Sequence, residues 1–491
     1  MPSSTCCTGK VHLLSGMDGA TLLELTGPAP LGFFGHSVAG PGDVTGDGVP
    51  DFLVGGGGAA GGLYSGATGS LVYSLFPLGW NVGAPGDTNS DGVPDLLVGD
   101  PTFGGAIFSG LAASLLQSLP GGGCQQIGFT VAGIGDVDGD GAGDVVLGAP
   151  NMSGCSFPTP GTAHVHSGGT GNLLAIVSGP TGFNSVFGRT VSGLGDVTGD
   201  GVPDFAVSGT QGTVGGPTLY AGIWVFSGAN SSLATLLTNT TEAIGISLAG
   251  PGDVDGDGVP DLLAGSPYAP PAYLVGPSPS YAGRALLFSG SDWTGIYNLT
   301  PPPGEFLTQG GSVCGSEDVN GDDFPDLAVG AAGSIAFVIG KVRLYSGSPT
   351  GVSSFGVGCA GAAGTVPRIG ATRAPKVGTV FKINLSRTGP AQGALLMLGF
   401  SNAAWWGIPL PLDLGFAGLP GCALGVSPDF VVGLTTEPCG PGKGRAVAPL
   451  ALPAAPSLVG TPFYAQWYVA DPGSAPIPGG MTRGLAVVLQ P

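Results

Sequence analysis

Charge is scarce in this chain. Only 9% of its 491 residues are Asp, Glu, Lys or Arg, with 13 basic against 32 acidic residues and four histidines. A nucleic-acid partner would need a basic stripe to neutralise phosphates, and the sequence has none. Catalytic motifs are equally thin. There is no Gly-x-Ser-x-Gly elbow, no Walker loop and no His-Glu-x-x-His helix, so no enzyme is expected. No apolar run reaches eighteen residues, which argues against a membrane-spanning helix. Helical 3.6 periodicity is not sustained anywhere. The start, Met1-Pro-Ser-Ser-Thr-Cys-Cys, lacks the apolar core of a signal peptide. Export would then rest on another route, or on a start that has been trimmed or missed. None of the cysteines (Cys6, Cys7, Cys124, Cys155, Cys314, Cys359, Cys422 and Cys439) stands in a Cys-x-x-Cys pair, which argues against a zinc ribbon.

Glycine and proline are abundant instead, at 97 and 45 residues. That level signals disorder only where no period accompanies it. Here a period is plain. One nine-residue phrase recurs six times, as in Asp136-Val-Asp-Gly-Asp-Gly-Ala-Gly-Asp144 and Asp253-Val-Asp-Gly-Asp-Gly-Val-Pro-Asp261. Oxygen side chains fall at positions one, three, five and nine. Turn glycines let a carbonyl near position seven join them. A hard cation such as Ca²⁺ takes six to eight oxygens in flexible geometry, so each phrase reads as a calcium loop. The expected ligands of the first three loops are Asp43, Thr45, Asp47, Val49 and Asp51; Asp87, Asn89, Asp91, Val93 and Asp95; and Asp136, Asp138, Asp140, Ala142 and Asp144. Those of the last three are Asp196, Thr198, Asp200, Val202 and Asp204; Asp253, Asp255, Asp257, Val259 and Asp261; and Asp318, Asn320, Asp322, Phe324 and Asp326. About six Ca²⁺ are expected. Position twelve is apolar (Val54, Val98, Val329), which excludes EF-hands. Aspartates used only as turn formers would not need fixed, repeated positions. The third and fifth loops carry four ligand-position carboxylates each and should bind most tightly.

The first aspartates of successive loops lie 44, 49, 60, 57 and 65 residues apart. A period near 50 means a propeller, solenoid or array. Within one period, Phe187-Gly-Arg-Thr-Val-Ser-Gly-Leu-Gly precedes the loop and Asp204-Phe-Ala-Val-Ser-Gly follows it. Ala221-Gly-Ile-Trp-Val-Phe-Ser-Gly and Ser232-Leu-Ala-Thr-Leu-Leu read as third and fourth strands. Four short strands bounded by Gly and Pro turns describe a propeller blade. Phe34-Gly35 and Phe187-Gly188 before the loop, and Gly148-Ala149-Pro150 after it, resemble the FG-GAP signature. The resemblance covers residues 9–350. It implies the integrin-like, calcium-binding β-propeller also found in secreted bacterial proteins, with the loop joining the first two strands of a blade. Ile127-Gly128, Ile244-Gly245 and Gly265-Ser-Pro267 depart from the signature in side chains only.

The fold expected is all-β: a six-bladed β-propeller, or a seven-bladed one, followed by a small β-sandwich. Residues 1–8 form a tail, 9–350 the propeller and 356–491 the sandwich. Thr21–Leu25 would supply the fourth strand that the sixth repeat lacks and close a six-bladed ring. A truncated first blade is the competing arrangement. Beyond Thr350 the loops stop. Thr379–Arg387, Gly393–Phe400, Asp429–Leu434, Arg445–Leu452, Phe463–Ala470 and Gly484–Gln490 read as strands. Gly358-Cys-Ala-Gly, Pro420-Gly-Cys and Phe463-Tyr-Ala-Gln-Trp-Tyr-Val resemble a C-terminal module of secreted bacterial proteins. That resemblance implies a Cys359–Cys422 pair.

Residues 1–355 carry 28 acids and 5 bases, and residues 356–491 carry 4 acids and 8 bases. Attraction between these opposite charges would allow self-association into a head-to-tail array. The C-terminal segment is expected to fold without metal, and the propeller to need it. His164 and His166 alternate on a strand and share a face. They read as surface residues rather than a transition-metal pair. The function expected is adhesion, recognition or matrix structure outside the cell or on its surface, with an extracellular protein or glycan as ligand. A self-assembling surface protein and a propeller-based hydrolase or polysaccharide lyase are the alternatives.

Overall fold

The computed structural model describes residues 9–16, 18–27, 33–56, 61–75, 80–121, 125–151, 160–179, 186–212, 219–239, 243–268, 282–302, 305, 307–316, 318–322, 324–333, 340–361, 364–417, 419–440, 442–470 and 479–491. Among these there is no α-helix, and no helix able to cross a membrane. Five four-stranded antiparallel sheets follow one another along the chain, at 38–74, 81–120, 130–178, 190–239 and 247–299. A sixth sheet has three strands, Leu307–Gly315, Leu327–Gly333 and Lys341–Tyr345. Each sheet is a meander in which neighbours in sequence are neighbours in space.

The second strand of each sheet explains the arrangement. Asp144–Ala149 and Asp261–Ser266 are buried at every residue, because sheets pack on both of their faces. The first strands are glycine-rich for a related reason. A β-carbon on Gly133, Gly193 or Gly250 would lie 2.4, 2.5 or 2.5 Å from a carbonyl oxygen of the preceding first strand. Only glycine allows that approach. Side-by-side first strands bring the six acidic loops to one end of a propeller-like array.

The strands Lys10–Leu14 and Thr21–Thr26 pair only with each other. Thr21–Leu25 therefore does not complete the sixth sheet, contrary to the sequence reading. The hairpin sits between the last sheet and the first. A β-carbon on Gly16 would lie 3.1 Å from Val319 of the sixth loop. The matching glycines Gly110, Gly228 and Gly347 meet Val44, Val137 and Val254 of the preceding loops at 3.0, 3.0 and 2.8 Å. On the other side, Leu23 lies against Gly69 and the Lys10 carbonyl against Gly35.

Among the described C-terminal residues, two large sheets enclose the main core. One contains Val352–Phe355, Gly484–Val488, Pro462–Ala470, Gly393–Gly399 and Phe430–Thr435 in that order, with Gly479–Met481 on Pro462–Ala470. The other runs Arg368–Thr372, Val380–Thr388, Lys443–Ala451, Glu437–Gly440. Trp467, Leu396 and Leu485 from the first meet Phe381, Ile383 and Ala448 from the second. This unit begins at Val352 rather than at residue 356, since Val352–Phe355 pairs with its last long strand. Cys359 and Cys422 are bonded across 63 residues, with Cα atoms 5.1 Å apart. Cys314 and Cys439 are free thiols, while Cys6, Cys7, Cys124 and Cys155 lie outside the described residues.

Candidate metal centres

Each loop is organised by its ninth residue. Asp51, Asp95, Asp144, Asp204, Asp261 and Asp326 are all buried. Oδ2 of each accepts the N–H of loop position two, at 2.9, 2.8, 2.7, 2.8, 2.8 and 3.0 Å. Oδ1 accepts the N–H of the glycine that follows the third strand: Gly66, Gly110, Gly168, Gly228, Gly290 or Gly347, at 2.9–3.2 Å. One carboxylate thus ties the loop to the turn beside it. Position one closes the other half. Oδ2 of Asp43, Asp87, Asp136, Asp196 and Asp253 accepts the N–H of the position-six glycine at 2.7–2.9 Å.

Position three points at position nine. Thr45, Thr198 and Asn320 place side-chain donors 3.5, 3.4 and 3.2 Å from Oδ1 of Asp51, Asp204 and Asp326. Where position three is Asp, three carboxylates converge. Ligand oxygens of Asp136, Asp138 and Asp144 lie within 4.8 Å of one another, as do those of Asp253, Asp255 and Asp261. Either group could hold a metal ion. Asn89 turns instead to Asp91, at 3.0 Å.

Position five stands outside these groups. Its Oδ1 accepts the N–H of position seven in every loop, at 2.8–2.9 Å, which fixes Val49, Val93, Ala142, Val202, Val259 and Phe324. In three loops its Oδ2 receives a serine hydroxyl: Ser167 on Asp140, Ser227 on Asp200 and Ser346 on Asp322, at 3.3, 3.1 and 2.8 Å. In sequence, the Ser-Gly that ends Ala221-Gly-Ile-Trp-Val-Phe-Ser-Gly reads only as the close of a third strand, with no part in the loop. The glycine of that pair is obligatory. A β-carbon on Gly228 would lie 1.9 Å from the Pro203 carbonyl oxygen. Gly228→Ala is expected to cost about 1–3 kcal/mol, as overpacking against rigid backbone does. Urea melts against Gly295→Ala, where the added methyl meets nothing within 4 Å, check this.

The fifth loop differs from the others in its surroundings. Asp255 and Asp257 are buried there, whereas positions three and five are exposed in all of the first four loops. The C-terminal unit covers it. Arg368 Nη1 donates to the Asp253 carbonyl at 2.9 Å, and Asn384 Nδ2 to the Asp255 carbonyl at 2.9 Å. Thr372 Oγ1 donates to Asp255 Oδ2 at 3.2 Å, and Arg445 lies 3.6 Å from Asp257. A β-carbon on Gly256 would fall 2.6 Å from the Gly370 Cα, so the backbones themselves touch. The basic C-terminal unit and the acidic loop face thus meet within one chain.

Burial pushes the Asp253 carboxyl up to about 6, although the Arg368 guanidinium pulls the other way. Asp255 and Asp261 are also raised well above the usual carboxylate range, first by burial and then by the facing carboxylates. Asp253 Oδ1 is buried with no hydrogen-bond partner. Mutually repelling carboxylates with an orphaned oxygen are a donor set that a cation would satisfy.

His164 and His166 are buried, not on the surface. Their rings stack 6.5 Å apart, and burial lowers both pKa values. Thr162 Oγ1 lies 3.0 Å from His164 Nε2, and His166 Nδ1 lies 3.2 Å from the Gly171 carbonyl oxygen. The turn that begins at Ser167 thus meets the His166 ring through its Gly171 carbonyl.

Sheet order and loop chemistry together define a propeller-like, repeat-built protein with acidic loops at one end. Compared with known families, residues 245–288 and 309–345 match the FG-GAP repeat. These stretches are FG-GAP repeats, and they hold the fifth and sixth loops. The first four sheets share their loop, strand register and Ser-Gly turn.

Proposed function

We propose that the chain is an extracellular, calcium-stabilised β-propeller with a C-terminal β-sandwich, acting in recognition or adhesion without catalysis. The observation that carries this reading is the sixfold recurrence of one oxygen-rich loop whose carboxylates are bonded to the backbone of the adjoining turn. An all-oxygen donor set suits a hard cation, and calcium above magnesium, because the ligands are flexible and numerous. Positions one, three and nine would hold the ion, one in each of six loops. The contacts of Gly16, Gly35 and Gly69 support a ring of seven blade positions, the seventh represented by its outer hairpin. The Cys359–Cys422 bridge fits an oxidising compartment.

The C-terminal unit covers part of the loop face, so recognition falls to the opposite end. That end carries the connections between second and third strands, much of which lies outside the described residues. A protein and glycan array probed with and without calcium tests the reading. Binding to an extracellular protein or glycan is expected, and chelation should abolish it. Turnover of an arrayed glycan would instead favour a propeller-based hydrolase or lyase.

A further inference from the structure

The strand that follows every Ser-Gly turn begins six positions after the serine. Ser65 leads to Leu71, Ser109 to Leu115, Ser167 to Leu173, Ser227 to Leu233 and Ser289 to Gly295. In the N-terminal hairpin Ser15 leads to Thr21. Ser346 leads to Val352 with the same spacing. By this measure Val352–Phe355 is the fourth strand of the sixth sheet. It does not lie there. It pairs with Gly484–Val488, Ser354 opposite Leu485, at the edge of the C-terminal sheet. Among the described residues, the edge of Lys341–Tyr345 has no partner strand.

The turn chemistry explains the diversion. In the six regular turns the serine N–H donates to the carbonyl five residues on, and its own carbonyl accepts the N–H four residues on, all at 2.8–3.0 Å. The residue four after the serine has positive φ: Gly19, Gly69, Ala113, Gly171, Ser231 and Trp293, at 71, 70, 49, 75, 56 and 59°. None is β-branched. After Ser346 that place falls to Thr350, preceded by Pro349. Branching at Cβ makes this conformation costly for threonine. The positive φ moves one residue on, to Gly351 at 85°. The Gly351 carbonyl then accepts the Val488 N–H at 2.7 Å, which starts the pairing with the C-terminal sheet.

We propose that Val352–Phe355 is a strand with two positions. One is the edge of the C-terminal sheet. The other closes the sixth sheet on Lys341–Tyr345, and Thr350 sets the balance toward the first. The second position has a defined register. In the regular sheets the residue before the serine faces the sixth residue after it, and the next pair is two before and eight after, as in Phe226 with Leu233 and Val225 with Thr235. Tyr345 would therefore face Val352, and Leu344 would face Ser354. The strand serves as a clasp: in the first position it joins the C-terminal unit to the sixth sheet through Ser354 Oγ, which donates to the Asp322 carbonyl at 2.8 Å.

The full chain tests this with two cysteine reporters. Ser354→Cys with Leu485→Cys traps the first position, and Leu344→Cys with Ser354→Cys traps the second. In the parent background the first pair is expected to crosslink. Adding Thr350→Gly removes the cost of the left-handed residue, and the balance should move toward the second pair by about 5- to 30-fold. Thr350→Asn, which also enters that region, should act in the same direction and guards against a single variant that fails to fold. Crosslinking of the second pair already in the parent background would support two positions directly. If both variants keep native circular dichroism and still crosslink only through the first pair, the proposal is overturned.

Discussion

Chelation of divalent cations is expected to lower the melting temperature of the propeller portion by at least about 10 °C. The expectation follows from charge. Twenty-one aspartates stand in six short loops. In the third and fifth loops three carboxylates approach within 4.8 Å, and in the fifth they are largely removed from water. Without a cation they repel or must take up protons. A ligand held only by the folded form at about 100 times its Kd contributes about 2.7 kcal/mol per site. Filling half of the loops is enough for a shift of the stated size. Calorimetry in chelator, in millimolar calcium and in millimolar magnesium measures it. Calcium should restore the transition and magnesium should do so poorly, because the small ion demands stricter octahedral geometry. A transition at one temperature in all three buffers would refute the structural role.

Phe324→Ala is expected to cost about 3–5 kcal/mol, and to loosen the C-terminal unit rather than the sixth loop alone. Phe324 belongs to a metal loop by sequence. Its side chain is nonetheless fully buried in the C-terminal core, among residues that include Ile369, Phe381 and Trp467. The Arg368 guanidinium lies 5.8 Å from the centre of its ring, a cation–π contact. Truncation leaves a cavity and removes the surface on which Arg368 rests. The near-ultraviolet dichroism of Trp467 should weaken together with the melting temperature. Val259→Ala, the same loop position one repeat earlier, is the control. Val259 belongs to a cluster built mainly from the fourth and fifth sheets and separate from the Trp467 core, so its loss should leave the Trp467 signal intact. Equal effects of the two substitutions on the Trp467 signal would show that Phe324 does not couple the units.

This coupling was the least legible part of the molecule. The loops could be read as one repeated element because their acidic residues lie within nine positions and recur, and Asp204 and Asp261 accept the same loop N–H in each copy. The C-terminal strands were also legible: Val380–Thr388, Gly393–Gly399, Phe430–Thr435 and Pro462–Ala470 each fall within one residue of expectation. In Val380–Thr388 the core residues Phe381, Ile383 and Leu385 alternate along the strand, as a one-sided sheet requires. The docking of the two units has no such local record. Arg368 reaches Asp253 across 115 residues, and Asn384 reaches Asp255 across 129. Asn384 reads in sequence as one member of a polar face that it shares with Lys382 and Ser386. Only the fold shows that it donates to a loop carbonyl while its own carbonyl accepts Trp467 Nε1–H at 3.1 Å. Phe324 did carry a signal, since an aromatic replaces the small residue of the other loops. The diverted strand also left a trace in Thr350, but a single residue in a turn is easily passed over when the spacing around it is regular.

The two ends of the sheets follow different rules of length. At the loop end, every acidic loop spans nine residues, and the next strand always begins six positions after the serine. At the other end the step from second to third strand varies freely, from Asp100 to Gly104 in one sheet and from Ser266 to Arg284 in another. Insertions and deletions are therefore absorbed at one end alone, because only there is the chain released from carboxylate anchoring. A peptide grafted between Ser266 and Arg284 should leave the melting transition unchanged. One added residue in Asp253–Asp261 would shift every anchor after it. The molecule thus divides into a gauge end, which sets the spacing of its sheets, and an editable end, where new sequence can be tried without disturbing that spacing.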